Sequence, residues 1–138
     1  MRAFFFCCFL AVSFACAEWG TREVHALLLK RTEQKPGVQM GKLDPALDTA
    51  GLVAVAEFHR VMGDSYRPTI TSANDFAWHV RFSKHYYNRA LDFRLFDVPR
   101  ERRSELVLSI RRKLGKRYRV LWENAGRNGE HLHIEMRD

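Results

Sequence analysis

The chain has 138 residues, 46% of them apolar and 28% charged, which is the length of one domain and the composition of a globular one, and excludes a multidomain or low-complexity chain. The formal charge of +7 comes from 23 Lys+Arg against 16 Asp+Glu, so anionic polymers or anionic membrane surfaces are the expected surroundings. Three cysteines in all exclude a disulfide-rich scaffold if they leave with a leader.

Arg2 precedes an apolar run, Ala3 to Ala15, that closes on Ala15-Cys16-Ala17. A basic start, a short apolar stretch and a small-x-small end are the marks of a signal peptide cleaved after residue 17. The run is too short for a membrane span, so no stable span is expected after cleavage. Ser13-Phe14-Ala15 lacks the leucine usual ahead of a lipidated cysteine, so Cys16 reads as leader. Cys7, Cys8 and Cys16 are then all removed. Residues 18–138 keep no thiol, and a metal site there must use His, Asp and Glu.

Residues 18–42 form an N-terminal segment in which Val24 to Arg31 predicts a short helix and Gln34-Lys35-Pro36-Gly37 a turn. His25 reads as a surface or packing residue. The main domain spans residues 43–138. Asp44 is a favoured N-cap and Pro45 suits the first helical turn. Leu47, Ala50, Ala54, Phe58 and Val61 recur at helical steps up to the glycine stop at Met62-Gly63. His59 near its end reads as a packed or exposed residue. Arg67 to Ser72 contains Thr-Ile-Thr and predicts a strand, broken at Asn74-Asp75. Phe76 to Lys84 is irregular, and His79 beside Trp78 reads as structural.

Ala90 to Phe96 predicts a strand with Leu91, Phe93 and Leu95 on one face. Asp92, Arg94 and Phe96 then project from the other, towards a cleft. Pro99 to Leu114 predicts a second helix ended by Gly115, with Leu106, Val107, Ile110 and Leu114 inward. Arg100, Arg103, Arg111 and Arg112 form its solvated basic surface. Tyr118 to Trp122 and Leu132 to Met136 close the chain as two strands, joined by an Asn/Gly-rich loop. His131 and His133 share a face of the last strand. His85, Asp92 and His133 are the ligand types, in the number, that a catalytic zinc takes while leaving one position for water. Glu130 is expected beside them.

Ser83, His85, Ala90 and Asp92 fit the pattern Ser-x-His-x-x-Gly-x-Ala-x-Asp, with Asn88 at the glycine, and Glu130 stands three positions before His133. In these two motifs, spanning Thr69 to Glu135, the chain resembles the zinc peptidases that include D-alanyl-D-alanine carboxypeptidases, D-Ala-D-Ala dipeptidases and phage L-alanyl-D-glutamate endopeptidases. Their zinc fold is related to that of the Hedgehog signalling domain. The resemblance implies that His85, Asp92 and His133 are the zinc ligands and Glu130 the general base. Glu123 is a rival base, because some relatives place the acid further from the last histidine. Ser83 would orient a ligand or bind substrate, and His131 would contact the tetrahedral intermediate or support a ligand. The family's arginine after the first strand is replaced by Asn74-Asp75, with Arg67 and Arg81 as the nearest arginines. Asn tolerates the left-handed turn that the motif glycine would make.

The expected fold is α+β: a small antiparallel sheet with the two long helices on one face and a zinc cleft on the other. The expected function is that of an exported zinc metallopeptidase, periplasmic or extracellular, acting as a monomer on D-amino-acid bonds of peptidoglycan stem peptides. The alternative is a non-catalytic zinc domain that binds wall peptide or a protein partner. Export argues against nucleic acid as the partner.

Overall fold

The computed structural model describes residues 20–74 and 81–138. The expected leader, the three cysteines, Trp78 and His79 lie outside the described residues. Three helices, α1 (Thr21–Arg31), α2 (Pro45–Met62) and α3 (Arg100–Leu114), accompany five strands: β1 (Glu33–Gln34), β2 (Thr69–Ser72), β3 (Ala90–Arg94), β4 (Tyr118–Glu123) and β5 (His131–Met136). The strands form one sheet in the order β1-β2-β3-β5-β4. All its pairs are antiparallel except β1 with β2, which is parallel. The sheet is therefore mixed rather than antiparallel as expected. No helix of the described residues is long and apolar enough to cross a membrane.

α2 follows its local signals. Asp44 Oδ1 accepts from the Ala46 N–H at 2.9 Å, Pro45 occupies the first turn, and Gly63 ends the helix at φ 94°. Its stripe of Leu47, Ala50, Ala54 and Phe58 is fully covered. Gly51 lies within the same stripe, where an added Cβ would meet Leu28 at 2.9 Å and Leu91 at 3.1 Å. That glycine lets α1 and β3 approach α2 closely. Alternation does the same sorting in the strands. Leu91 and Phe93 of β3, with Leu132 and Ile134 of β5, face the helices at 0% exposure. Each such side chain contributes roughly 1.5–3 kcal/mol by leaving water. The intervening residues face away and form the floor of the cleft.

Two charged groups buried in α2 were not foreseen. Asp48 accepts from His25 Nδ1 at 2.8 Å, so His25 ties α1 to α2. Glu57, 1% exposed, takes Ser109 Oγ at 2.6 Å, Arg60 Nε at 3.0 Å and the Lys113 ammonium. Burial pushes the Glu57 carboxyl up, but these donors outweigh it and hold the group at about 2 against 4.5 for an ordinary glutamate. Because the folded value is the lower one, this contribution to stability is complete above about pH 5 and is lost as the pH falls towards 2. In urea titrations, Glu57→Gln should lower stability at pH 7 by about 2 kcal/mol and flatten the pH dependence between pH 5 and 2. An unchanged acid profile in the variant would show that Glu57 does not drive the loss.

Candidate metal centre

The centre is assembled by β3, β5 and the turn before β3. Asp92 and His133 are direct partners across the β3–β5 ladder, as are Arg94 and His131. Leu121 and Glu123 of β4 pair with His133 and His131 from the other side. Residues 92, 94, 121, 123, 131 and 133 therefore share the face opposite the helices. His85 enters from a 3-10 turn, Lys84–Tyr87, started by Ser83, whose Oγ accepts from the His85 N–H at 3.4 Å. Asn88 closes that turn at φ 60°, ψ 24°, in the left-handed region where the motif expects glycine. Its carbonyl also accepts from Asp44 N–H at 3.0 Å, joining the turn to the start of α2.

His85, Asp92 and His133 are buried, with exposures of 2%, 6% and 7%, and each offers a ligand atom within 4.8 Å of the others. His85 Nε2 is 3.2 Å from Asp92 Oδ2, and His133 Nδ1 is 2.7 Å from Asp92 Oδ1. The far sides of both rings are held. His85 Nδ1–H donates to the Ala73 carbonyl at 2.6 Å, with Ser72 Oγ at 3.3 Å, which turns Nε2 towards Asp92. His133 Nε2 lies 3.1 Å from Glu135 Oε2. A ring nitrogen turned to the centre and its opposite nitrogen tied to a carbonyl or carboxylate is how metal-binding histidines are held. The donor set fits a divalent metal with two imidazoles and one carboxylate.

Charge tells the same story. Burial pushes the Asp92 carboxyl up, but His133 and His85 outweigh it and hold it well below the usual carboxylate range. For His133 burial pulls downward, and Asp92 with Glu135 overcomes it, raising the group to about 9. A proton on His133 thus balances the buried carboxylate.

The remaining expected site residues divide. Glu123 Oε2 is 3.1 Å from His131 Nε2, which in turn lies 3.6 Å from Asp92 Oδ2. His131 lines the cleft beside Asp92, and Glu123 opposes it on β4. Glu130 lines the same cleft as Asp92 and His131. It precedes β5 by one residue, and its buried carboxylate accepts from Arg103 at 2.7 Å and from Trp122 Nε1 at 2.6 Å, on the α3 side. Arg103 is accordingly no part of a solvated surface: its side chain is 11% exposed and also donates to the Val98 and Phe96 carbonyls. Arg67 is engaged by Glu33 and the Thr32 carbonyl near β1, and Arg81 lies over Phe82. A cleft of about 370 Å³ opens beside Asp92 and His131, with Lys35, Arg94 and Arg127 in its walls. The sequence reading missed Glu135, although its place two residues after His133 on one strand puts the two on the same face.

Comparison of the chain with family models, with curated proteins and with solved structures found no match.

Metal titration of the chelator-stripped chain should give one tight divalent ion, lost at least about 100-fold in affinity by His85→Ala or His133→Ala, and weakened about 10–100-fold by Glu135→Gln. Because His133 is protonated below about 9, the ion must displace that proton. Affinity should therefore rise by about tenfold per unit from pH 6.5 to 8.5. Tight binding that ignores His133 would refute this ligand set.

Proposed function

We propose that the protein is a zinc-dependent peptidase acting on peptidoglycan stem peptides. The observation that carries this reading is the convergence of His85, Asp92 and His133, two of them braced from behind, with a carboxylate, Glu123, on the same side of the sheet. Zinc held there would lower the pKa of its water to about 7 and polarise a peptide carbonyl. The protein's own part follows from the residues. Glu123, half-exposed beside His131, accepts the proton of the attacking water and passes it to the departing amine. His131 stands between the Gly129 carbonyl, 2.7 Å from Nδ1, and Glu123 Oε2, 3.1 Å from Nε2, and fixes the position of that carboxylate. Arg94, beside His131 in the cleft wall, is the cation best placed to meet negative charge developing on the carbonyl oxygen.

The base is assigned to Glu123 and not to Glu130 because a base needs reach to the reacting water, and Glu130 is committed to Arg103 and Trp122. Exported location and wall peptide as substrate rest on the leader, the basic charge and the family resemblance.

Residues 18–138, loaded with zinc, should release D-amino-acid products from muropeptides. Glu123→Gln should keep the metal and lose about 10²–10⁴-fold in rate. Glu130→Ala should instead cost on the order of 3 kcal/mol of stability by stranding Arg103, seen as a lower melting temperature with the metal retained. Full activity in Glu123→Gln and loss in a well-folded Glu130→Ala would reverse the assignment. Tight zinc without any cleavage would favour the non-catalytic wall-binding domain.

A further inference from the structure

A groove of about 530 Å³ lies between the last turn of α3 and the edge strand β4. Five cations line it, Arg111, Arg112, Lys116, Arg119 and Arg137, and no carboxylate does. Elsewhere the fold matches charge with charge: Arg60, Arg67, Lys84, Arg89 and Arg103 each meet a carboxylate at 2.7 Å. In the groove Arg119 reaches Glu135 Oε1 only at 3.5 Å. Arg112, Lys116 and Arg137 are exposed and meet no carboxylate among the described residues. Like charges gathered without partners repel one another and weaken the fold. Arg111 is also set in place before any ligand arrives, because its Nε and Nη2 donate to the Val120 carbonyl at 3.2 and 2.9 Å.

We infer that this groove binds a base-free phosphodiester polymer, its phosphates met by α3 on one side and by Arg119 and Arg137 on the other. Four of the five cations are arginines, whose forks take two phosphate oxygens at once. Two other anionic partners fit less well. A bilayer is flat and takes in apolar side chains, whereas the exposed large apolar residues Phe82, Tyr87, Phe96 and Leu108 all lie off the groove. A nucleic-acid strand is held in good part by stacking on aromatic rings. The groove's one aromatic, Tyr118, has Arg117 over its ring and its hydroxyl on the Ala46 carbonyl. A thread held by its charge is what the groove suits. Arg119 brings that thread beside the candidate metal centre, since its partner Glu135 has the other carboxylate oxygen 3.1 Å from His133 Nε2. Use of this hold to anchor a peptidase on the cell wall rests on the reading above, whereas the binding itself does not.

The test titrates residues 18–138 with poly(glycerol phosphate), with single-stranded DNA of equal charge and with phosphatidylglycerol vesicles. Binding of poly(glycerol phosphate) should weaken about 100-fold between about 50 and 200 mM salt, as expected when five cations each release a counterion. Arg112→Ala combined with Arg137→Ala should cost at least about tenfold in affinity and flatten the slope of log K against log salt by about 1.4. Lys30→Ala combined with Lys42→Ala removes the same charge from exposed positions outside the groove and should change affinity by no more than about twofold. Circular dichroism checks the fold of each variant. Equal losses in the two pairs would reduce the effect to net charge and overturn the site. Tighter binding of DNA, or binding of vesicles alone, overturns the occupant, and no binding at low salt overturns the inference outright. Muropeptide hydrolysis is scored separately. Polymer binding without cleavage would uphold the groove and sink the peptidase reading, and cleavage without polymer binding would do the reverse.

Discussion

A carboxylate almost wholly removed from water sits at the centre of this protein. Asp92 is 6% exposed and has imidazole nitrogens at 2.7, 3.2 and 3.6 Å, from His133, His85 and His131. An uncompensated charge in such a place costs several kcal/mol, so positive charge must be supplied with it. The ladder that supplies His133 also builds the core, since Leu91 and Phe93 pair with Ile134 and Leu132 on the reverse face. A one-residue slip would expose those side chains and turn Asp92 into the hydrocarbon interior. Fold and site therefore share one constraint, and the register that satisfies either satisfies both.

The helices hold that register through charged cross-links as well as apolar packing. Arg103 gathers Glu130, the Val98 carbonyl and the Phe96 carbonyl, so α3 is pinned both to the end of the β3 loop and to the residue leading into β5. Glu57 pins α2 to α3 through Ser109 and Lys113. The Tyr118 hydroxyl donates to the Ala46 carbonyl, linking β4 to the start of α2. These contacts lie behind the sheet, while the ligands are in front of it. What they determine is where His131 and His133 stand.

Much of this was legible in the sequence, and the reasons are local. Asp44-Pro45 and Gly63 mark the ends of α2 by capping chemistry, and the alternation around Leu91 and Phe93 assigns Asp92 to the cleft. β1 was not legible because two exposed residues, Glu33 and Gln34, carry no period to read. The partners of Glu130 were not legible because Arg103 and Trp122 come from a separate helix and strand. Arg103 stands three, four and seven residues before Leu106, Val107 and Ile110, on the inward stripe of α3. Residue type suggested a solvated cation, and helical position said otherwise. Glu57 and its partners come from separate helices, so no local pattern announces them.

The hairpin between β4 and β5 separates two measures of distance. Glu123 and His131 face each other across the ladder, yet the connection Asn124 to Glu130 intervenes along the chain. Loop closure is insensitive to length, with each doubling costing only about 0.6 kcal/mol. Residues can be added to or removed from that connection while the facing pair stays where it is. The count of residues between an acid and its histidine is thus free to drift among chains that keep the same geometry. Relatives of this protein are better sought by which positions oppose each other on the sheet than by a fixed interval in their text.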